Sequence, residues 1–203
     1  MNLYEDDGEK HLHEHEEMPY DTLVVNLFGG PGAGKSTLAH RLCADLAMRG
    51  RLVEYSPEYA KELIWEGQRN MLNGSVASQA VIASEQINRL NRLSGKVEIV
   101  VTDSPVLLEV TYADVDDRSY ASFIETLMAH HRSHRRFNVL VNRGSSYDVR
   151  GRKHTFEESL ALDGAVRALL EDTDECIFEY FREDDSDRAN YASLLASVLK
   201  ATE

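Results

Sequence analysis

Two rhythms of apolar residues alternate along this 203-residue chain. Short runs rich in β-branched residues read as strands: Thr22–Phe28, Leu52–Tyr55, Val97–Thr102, Phe137–Val141 and Cys176–Phe181. Between them apolar positions recur three and four apart, the spacing of one helix face. That spacing predicts helices over about 35–49, 57–71, 76–93, 118–131 and 187–200. Thr155 with Glu158 forms a capping box that opens another, to about Leu170. Gly50 and the Asn73-Gly74-Ser75 break punctuate the pattern. Strands separated by helices predict an α/β domain over residues 21–203, a parallel sheet with helices on both faces.

The junction of the first strand and first helix carries the chemistry. Gly29-Gly30-Pro31-Gly32-Ala33-Gly34-Lys35-Ser36 reads G-x-x-x-x-G-K-S, a complete Walker A loop in its strand–loop–helix context. Glycines let successive backbone N–H groups face one concavity, and the following helix points its positive dipole end there. The predicted nucleotide cradle is Gly30, Gly32, Ala33, Gly34, Lys35, Ser36 and Thr37, with ATP as the nucleotide. Lys35 is expected on the β- and γ-phosphates and Ser36 on Mg2+.

Asp103 ends the third strand, where P-loop proteins place a second magnesium-organising carboxylate. Ser104 follows it, in place of the water-activating Glu of mechanical ATPases, which favours transfer to a substrate over hydrolysis. No Asn-Lys-x-Asp guanine reader is present. Glu54, Glu58 and Tyr59 follow or end the second strand and are candidates for substrate contact; a carboxylate there accepts a proton from an attacking hydroxyl or holds a sugar hydroxyl. Tyr55, Tyr59 and Trp65 are suited either to stacking on a base or to the core. The polar stretch after the fourth strand places Arg143, Arg150, Arg152 and Lys153 between possible hinges at Gly144 and Gly151. It is expected as a lid over about 143–155, with Arg143 toward substrate and Arg150 and Arg152 on the transferring phosphoryl group.

Charge and cysteine content narrow the partners. Net charge is −13, and seven acids against one lysine crowd the first 20 residues, which read as a mobile acidic tail bearing His11, His13 and His15. That balance disfavours DNA, although His130–Arg136 is a basic run, read first as cations at a helix C-terminus. No run approaches the ~18 apolar residues of a membrane span. Cys43 and Cys176 read as small buried hydrophobes in a reducing cytoplasm.

The Walker A loop, Glu54-Tyr55-x-x-Glu58, Thr102-Asp103-Ser104-Pro105 and Tyr147-Asp148-x-Arg150-Gly151-Arg152 together resemble the P-loop kinase-like family. That family includes the ribosylnicotinamide kinase domain of bacterial NAD regulators and phage-encoded homologues. The resemblance spans about Leu23 to Leu195. It implies a P-loop NTPase three-layer sandwich, with sheet order 2-3-1-4-5 and a short lid. It also implies Lys35 and Ser36 on ATP–Mg2+, Asp103 near metal or acceptor, and Glu54 or Glu58 at the substrate. Pro105 stands where ribosylnicotinamide kinases tend to carry a second Asp, a departure that weighs against nicotinamide riboside as the substrate while leaving the kinase expectation intact. The leading expectation is a kinase of a nucleoside- or nucleotide-like hydroxyl. The alternatives are a kinase of hydroxymethylpyrimidine in DNA and a nucleotide-dependent regulatory ATPase.

Overall fold

Five strands, β1 (Leu23–Phe28), β2 (Val53–Ser56), β3 (Ile99–Thr102), β4 (Arg135–Asn142) and β5 (Ile177–Phe181), pair in parallel in the order β2-β3-β1-β4-β5. The computed structural model describes residues 19–144, 155–173, 175–181 and 187–203. The histidine-bearing tail segment and the lid residues Arg150, Arg152 and Lys153 therefore lie outside the described residues.

The inner strands are buried on both faces, which is why they read as unbroken apolar runs. Leu23, Val25 and Leu27 of β1 point to one face with Ile99, Val101, Val139 and Val141. There they meet α1 (Lys35–Met48) through Leu38, Leu42 and Leu46, and α7 (Asp187–Ala201) through Tyr191, Leu194 and Val198. Phe28 and Leu140 point the other way. They meet α3 (Val76–Leu93), α4 (Leu108–Tyr112), α5 (Tyr120–Arg132) and α6 (Phe156–Asp172). The result is the expected three-layer sandwich in the expected order. β2 and β3 end level, Ser56 beside Thr102, and β1 runs two residues past that register to Phe28, so the loops that follow open on one edge.

Three elements differ from the sequence reading. The predicted 57–71 helix is broken: α2 (Tyr59–Trp65) stops where Gly67 takes φ 77°. Gly67 N–H and Gln68 N–H donate back to the Ile64 and Leu63 carbonyls, and a 3-10 turn follows over Arg69–Leu72. α4 was not anticipated, because five residues are too few to show a period. Cys176 is exposed just before β5, not buried, and Cys43 is half-buried, its thiol pushed up to about 11 by burial and by nearby Glu54.

The basic run ends α5 as expected and continues into β4, and several of its side chains are bound within the fold. His131 is buried edge-on against Phe28 and lies 3.6 Å from Glu175, to which Arg136 donates two hydrogen bonds. Burial drives the His131 pKa down to about 4, so the ring is neutral. Arg135 bonds the Ala201 carbonyl.

Candidate active site

The Walker segment leaves the tip of β1 and enters α1 with Gly29, Gly32 and Gly34 at φ 144°, 85° and 103°. A side chain at these angles is strained, so the loop's curl depends on them. Gly30 is glycine for a different reason. Its N–H donates to Asp163 Oδ1 at 2.7 Å, and a Cβ there would collide with that carboxylate and with the Ser159 carbonyl. Arg143, the first residue after β4, closes the clamp: Nε donates to Asp163 Oδ2 and Nη2 to the Pro31 carbonyl, each at 2.8 Å. The residue expected at substrate thus braces the loop from behind.

Lys35 Nζ folds back on the loop, donating to the carbonyls of Gly29 (2.6 Å) and Gly30 (3.0 Å). Burial lowers its pKa, while Glu58, Asp103 and Asp163 oppose that shift. Ser36 Oγ donates to Asp103 Oδ2 at 2.5 Å. Asp103 is 2% exposed, and its Oδ1 is buried with no hydrogen-bond partner. A hydroxyl and an unsatisfied carboxylate oxygen at one point suit a hard cation with oxygen ligands. Among the described residues no cluster of three His, Cys, Asp or Glu gathers. Tyr55 reaches the same carboxylate; burial and Asp103 hold its phenol protonated far above neutrality.

These groups stand at the mouth of a cleft of about 560 Å3. Gly32, Gly34, Lys35, Ser36, Thr37 and Asp103 contribute the polar part of its lining. Glu58, the N-cap of α2, lines it too. So do Glu109 and Tyr112 of α4 and Gln79 of α3, with Ile64, Leu72, Ile82, Leu108 and Trp65, which is 80% exposed. Ala33 is buried beneath the loop. Two expected substrate residues are not brought here. Glu54 is exposed on edge strand β2, because alternation along the strand turns it away from Tyr55's side. Tyr59 lies under the Arg89 guanidinium, 5.1 Å from its ring centre, and its N–H is held by Gln86.

Glu109 and Gln79 were missed by sequence reasoning, although a signal existed. Glu109 interrupts the apolar run Val106–Val110, and Gln79 and Gln86 share the helical stripe of Ile82, Ala83 and Leu90. Glu109 is 3% exposed. Burial, with Glu58 nearby, pushes its pKa up to about 8 against the pull of Ser104 and Lys35. The unfolded chain gives up this proton near the ordinary carboxylate value, while the folded chain keeps it to about 8, so stability falls as pH rises between the two. Glu109→Gln is expected to flatten that slope, gaining at least about 5 °C in Tm over the native chain at pH 8.5 relative to pH 5. Parallel melting curves would remove Glu109 from its assigned environment.

Among curated proteins none matches this chain. Among the solved structures that do are NadR protein in complex with NR, at 18% identity and TM-score 0.67, covering 89% of this chain and 52% of that one, and thymidylate kinase from Ehrlichia chaffeensis, at 16% and TM-score 0.58, covering 90% and 99%. The chain thus spans about half the length of the NadR protein. At these identities the likeness is one of fold, the P-loop kinase-like sandwich. The profile described as AAA domain matches residues 24–188, most of the chain, and on that match the chain belongs to the AAA domain family.

Proposed function

We propose that the chain is an ATP- and Mg2+-dependent phosphotransferase acting on a hydroxyl of a nucleoside- or nucleotide-like small molecule. The observation that carries this reading is the convergence of Lys35, Ser36 and Asp103 on a cleft that is also lined by apolar side chains and by the buried polar groups of Gln79 and Glu109. That lining offers an acceptor a place beside the phosphates. The NR complex and the thymidylate kinase on the same fold make a nucleoside-like occupant the natural first choice.

In this reading Lys35 exchanges the Gly29 and Gly30 carbonyls for phosphate oxygens, and the loop amides take the rest. Ser36 and Asp103 hold Mg2+, which supplies positive charge to the β- and γ-phosphates when bound. Glu58, or Asp103, orients the acceptor hydroxyl and accepts its proton as oxygen attacks the γ-phosphorus. The bond to the β,γ-bridging oxygen breaks and ADP leaves. Arg150 and Arg152 supply further cations from the proposed lid. Arg152→Ala is expected to lower kcat about 100-fold with little change in ATP affinity, read by steady-state kinetics beside nucleotide titration; a pure binding defect would remove it from the transition state.

The deciding experiment is product detection by mass spectrometry after incubation with ATP–Mg2+ and pooled nucleosides, nucleoside monophosphates and hydroxymethylpyrimidine DNA. A phosphate added to a small molecule is the expected result. Phosphate on DNA would transfer the assignment to a DNA kinase, and ADP with no phosphorylated product would point to a regulatory ATPase. No helix among the described residues is long and apolar enough to cross a membrane.

A further inference from the structure

Two glutamines occupy the buried face of α3 and are treated differently by their surroundings. Gln86 is satisfied: its Oε1 accepts from Tyr59 N–H and its Nε2 donates to the Ser104 carbonyl, both at 3.0 Å, tying α2 to the end of β3. Gln79, two turns earlier, is 4% exposed, lines the cleft, and has its Oε1 buried without a hydrogen-bond partner. A buried amide oxygen left unmade costs on the order of 1–3 kcal/mol, so a fold retains one where a ligand completes it. The same cleft is lined by Glu109, whose carboxyl keeps its proton through neutral pH and so offers an O–H, and by the apolar side chains of Ile64, Leu72, Ile82 and Leu108. Glu109 faces Glu58 of α2, Lys35 of α1, Ser104 after β3 and Tyr112 on its own helix.

We propose that Gln79, with Glu109 beside it on the packed helix α4, is the specificity-determining residue for the acceptor, reading a planar ring that carries an N–H next to a carbonyl, the imide or lactam edge of a uracil-, thymine- or hypoxanthine-like base. This deepens the kinase reading above and rests on the same cleft. The chemistry runs from complementarity. Gln79 Oε1 requires a donor, which the ring N–H supplies. The adjoining ring carbonyl requires a donor in turn, which the Gln79 amide nitrogen or the protonated Glu109 supplies. Turned either way, the carboxamide presents one donor and one acceptor side by side, the pattern that an imide or lactam edge answers. A site built this way rejects an isostere that lacks the hydrogen far more strongly than an apolar pocket rejects a missing methyl, because the buried polar groups are then left unpaired.

The test is binding of uridine, thymidine, inosine and 3-methyluridine to the full chain with ADP–Mg2+, followed by ligand-observed NMR. At least one of the first three is expected to bind about 100-fold more tightly than 3-methyluridine, and Gln79→Met is expected to erase that preference while retaining ADP affinity. The methylated probe on the unaltered chain decides the matter even if the variant fails to fold. Equal affinity for uridine and 3-methyluridine with no binding of inosine or thymidine would overturn the proposal, as would binding of none of the four or a preference that survives in Gln79→Met. Selective binding without phosphoryl transfer would sink the kinase reading and leave this one standing. Phosphorylation of an acceptor indifferent to N-methylation would do the reverse.

Discussion

Lys35→Ala is expected to abolish turnover, with kcat falling by at least about 1,000-fold, while the chain stays folded. The reason for the large effect is geometric. Lys35 is the loop residue whose charge is already held in the cleft, 2.6 and 3.0 Å from two loop carbonyls. The reason for the small effect on folding is energetic. Burial lowers the Lys35 pKa, so the folded chain bears a desolvation penalty that alanine removes together with two hydrogen bonds to loop carbonyls. These oppose each other. ADP release measured beside thermal melting reads both terms, and a folded variant that still turns over would end the kinase assignment.

The second large effect is expected at Asp103. Asp103→Asn keeps the side-chain shape and leaves an oxygen to accept from Ser36 Oγ, but removes the negative charge of a carboxylate that lines the cleft. Turnover is expected to fall about 100-fold or more, with the Mg2+ concentration for half-maximal rate displaced upward. A titration of rate against Mg2+ separates the two roles open to this carboxylate. A lower plateau at unchanged Mg2+ dependence would make Asp103 the residue that orients the acceptor and relieve Glu58 of that role. An unchanged curve would remove Asp103 from the chemistry.

The strands and the Walker loop were legible in the sequence for a shared reason: both are local. A parallel strand buried on two faces is an apolar run, and the loop's glycines, lysine and serine are consecutive. The order of the strands is not local and came from the family resemblance alone. The rest of the cleft lining was not legible. Gln79, Glu109 and Tyr112 come from two helices about thirty residues apart, and what makes Gln79 informative is a missing partner, which no spacing records. Glu54 misled because the second strand does lead to the cleft, which Glu58 lines, while the side that each residue faces depends on where pairing begins. Arg143 misled similarly. Four cations after a strand suggest one shared task, yet the first of them closes on Asp163, twenty residues onward and invisible to any local pattern.

Gly30, Arg143 and Asp163 carry a consequence for how this sequence can drift. Each is tolerable only in the company of the other two. Enlarging Gly30 strikes the Asp163 carboxylate, shortening Asp163 strands the Gly30 amide and the Arg143 guanidinium together, and losing Arg143 leaves a lone anion pressed against a loop built to receive anions. Single substitutions therefore lead downhill from every direction, and the three positions should be inherited as a set, so that relatives differing at one of them differ at the others as well.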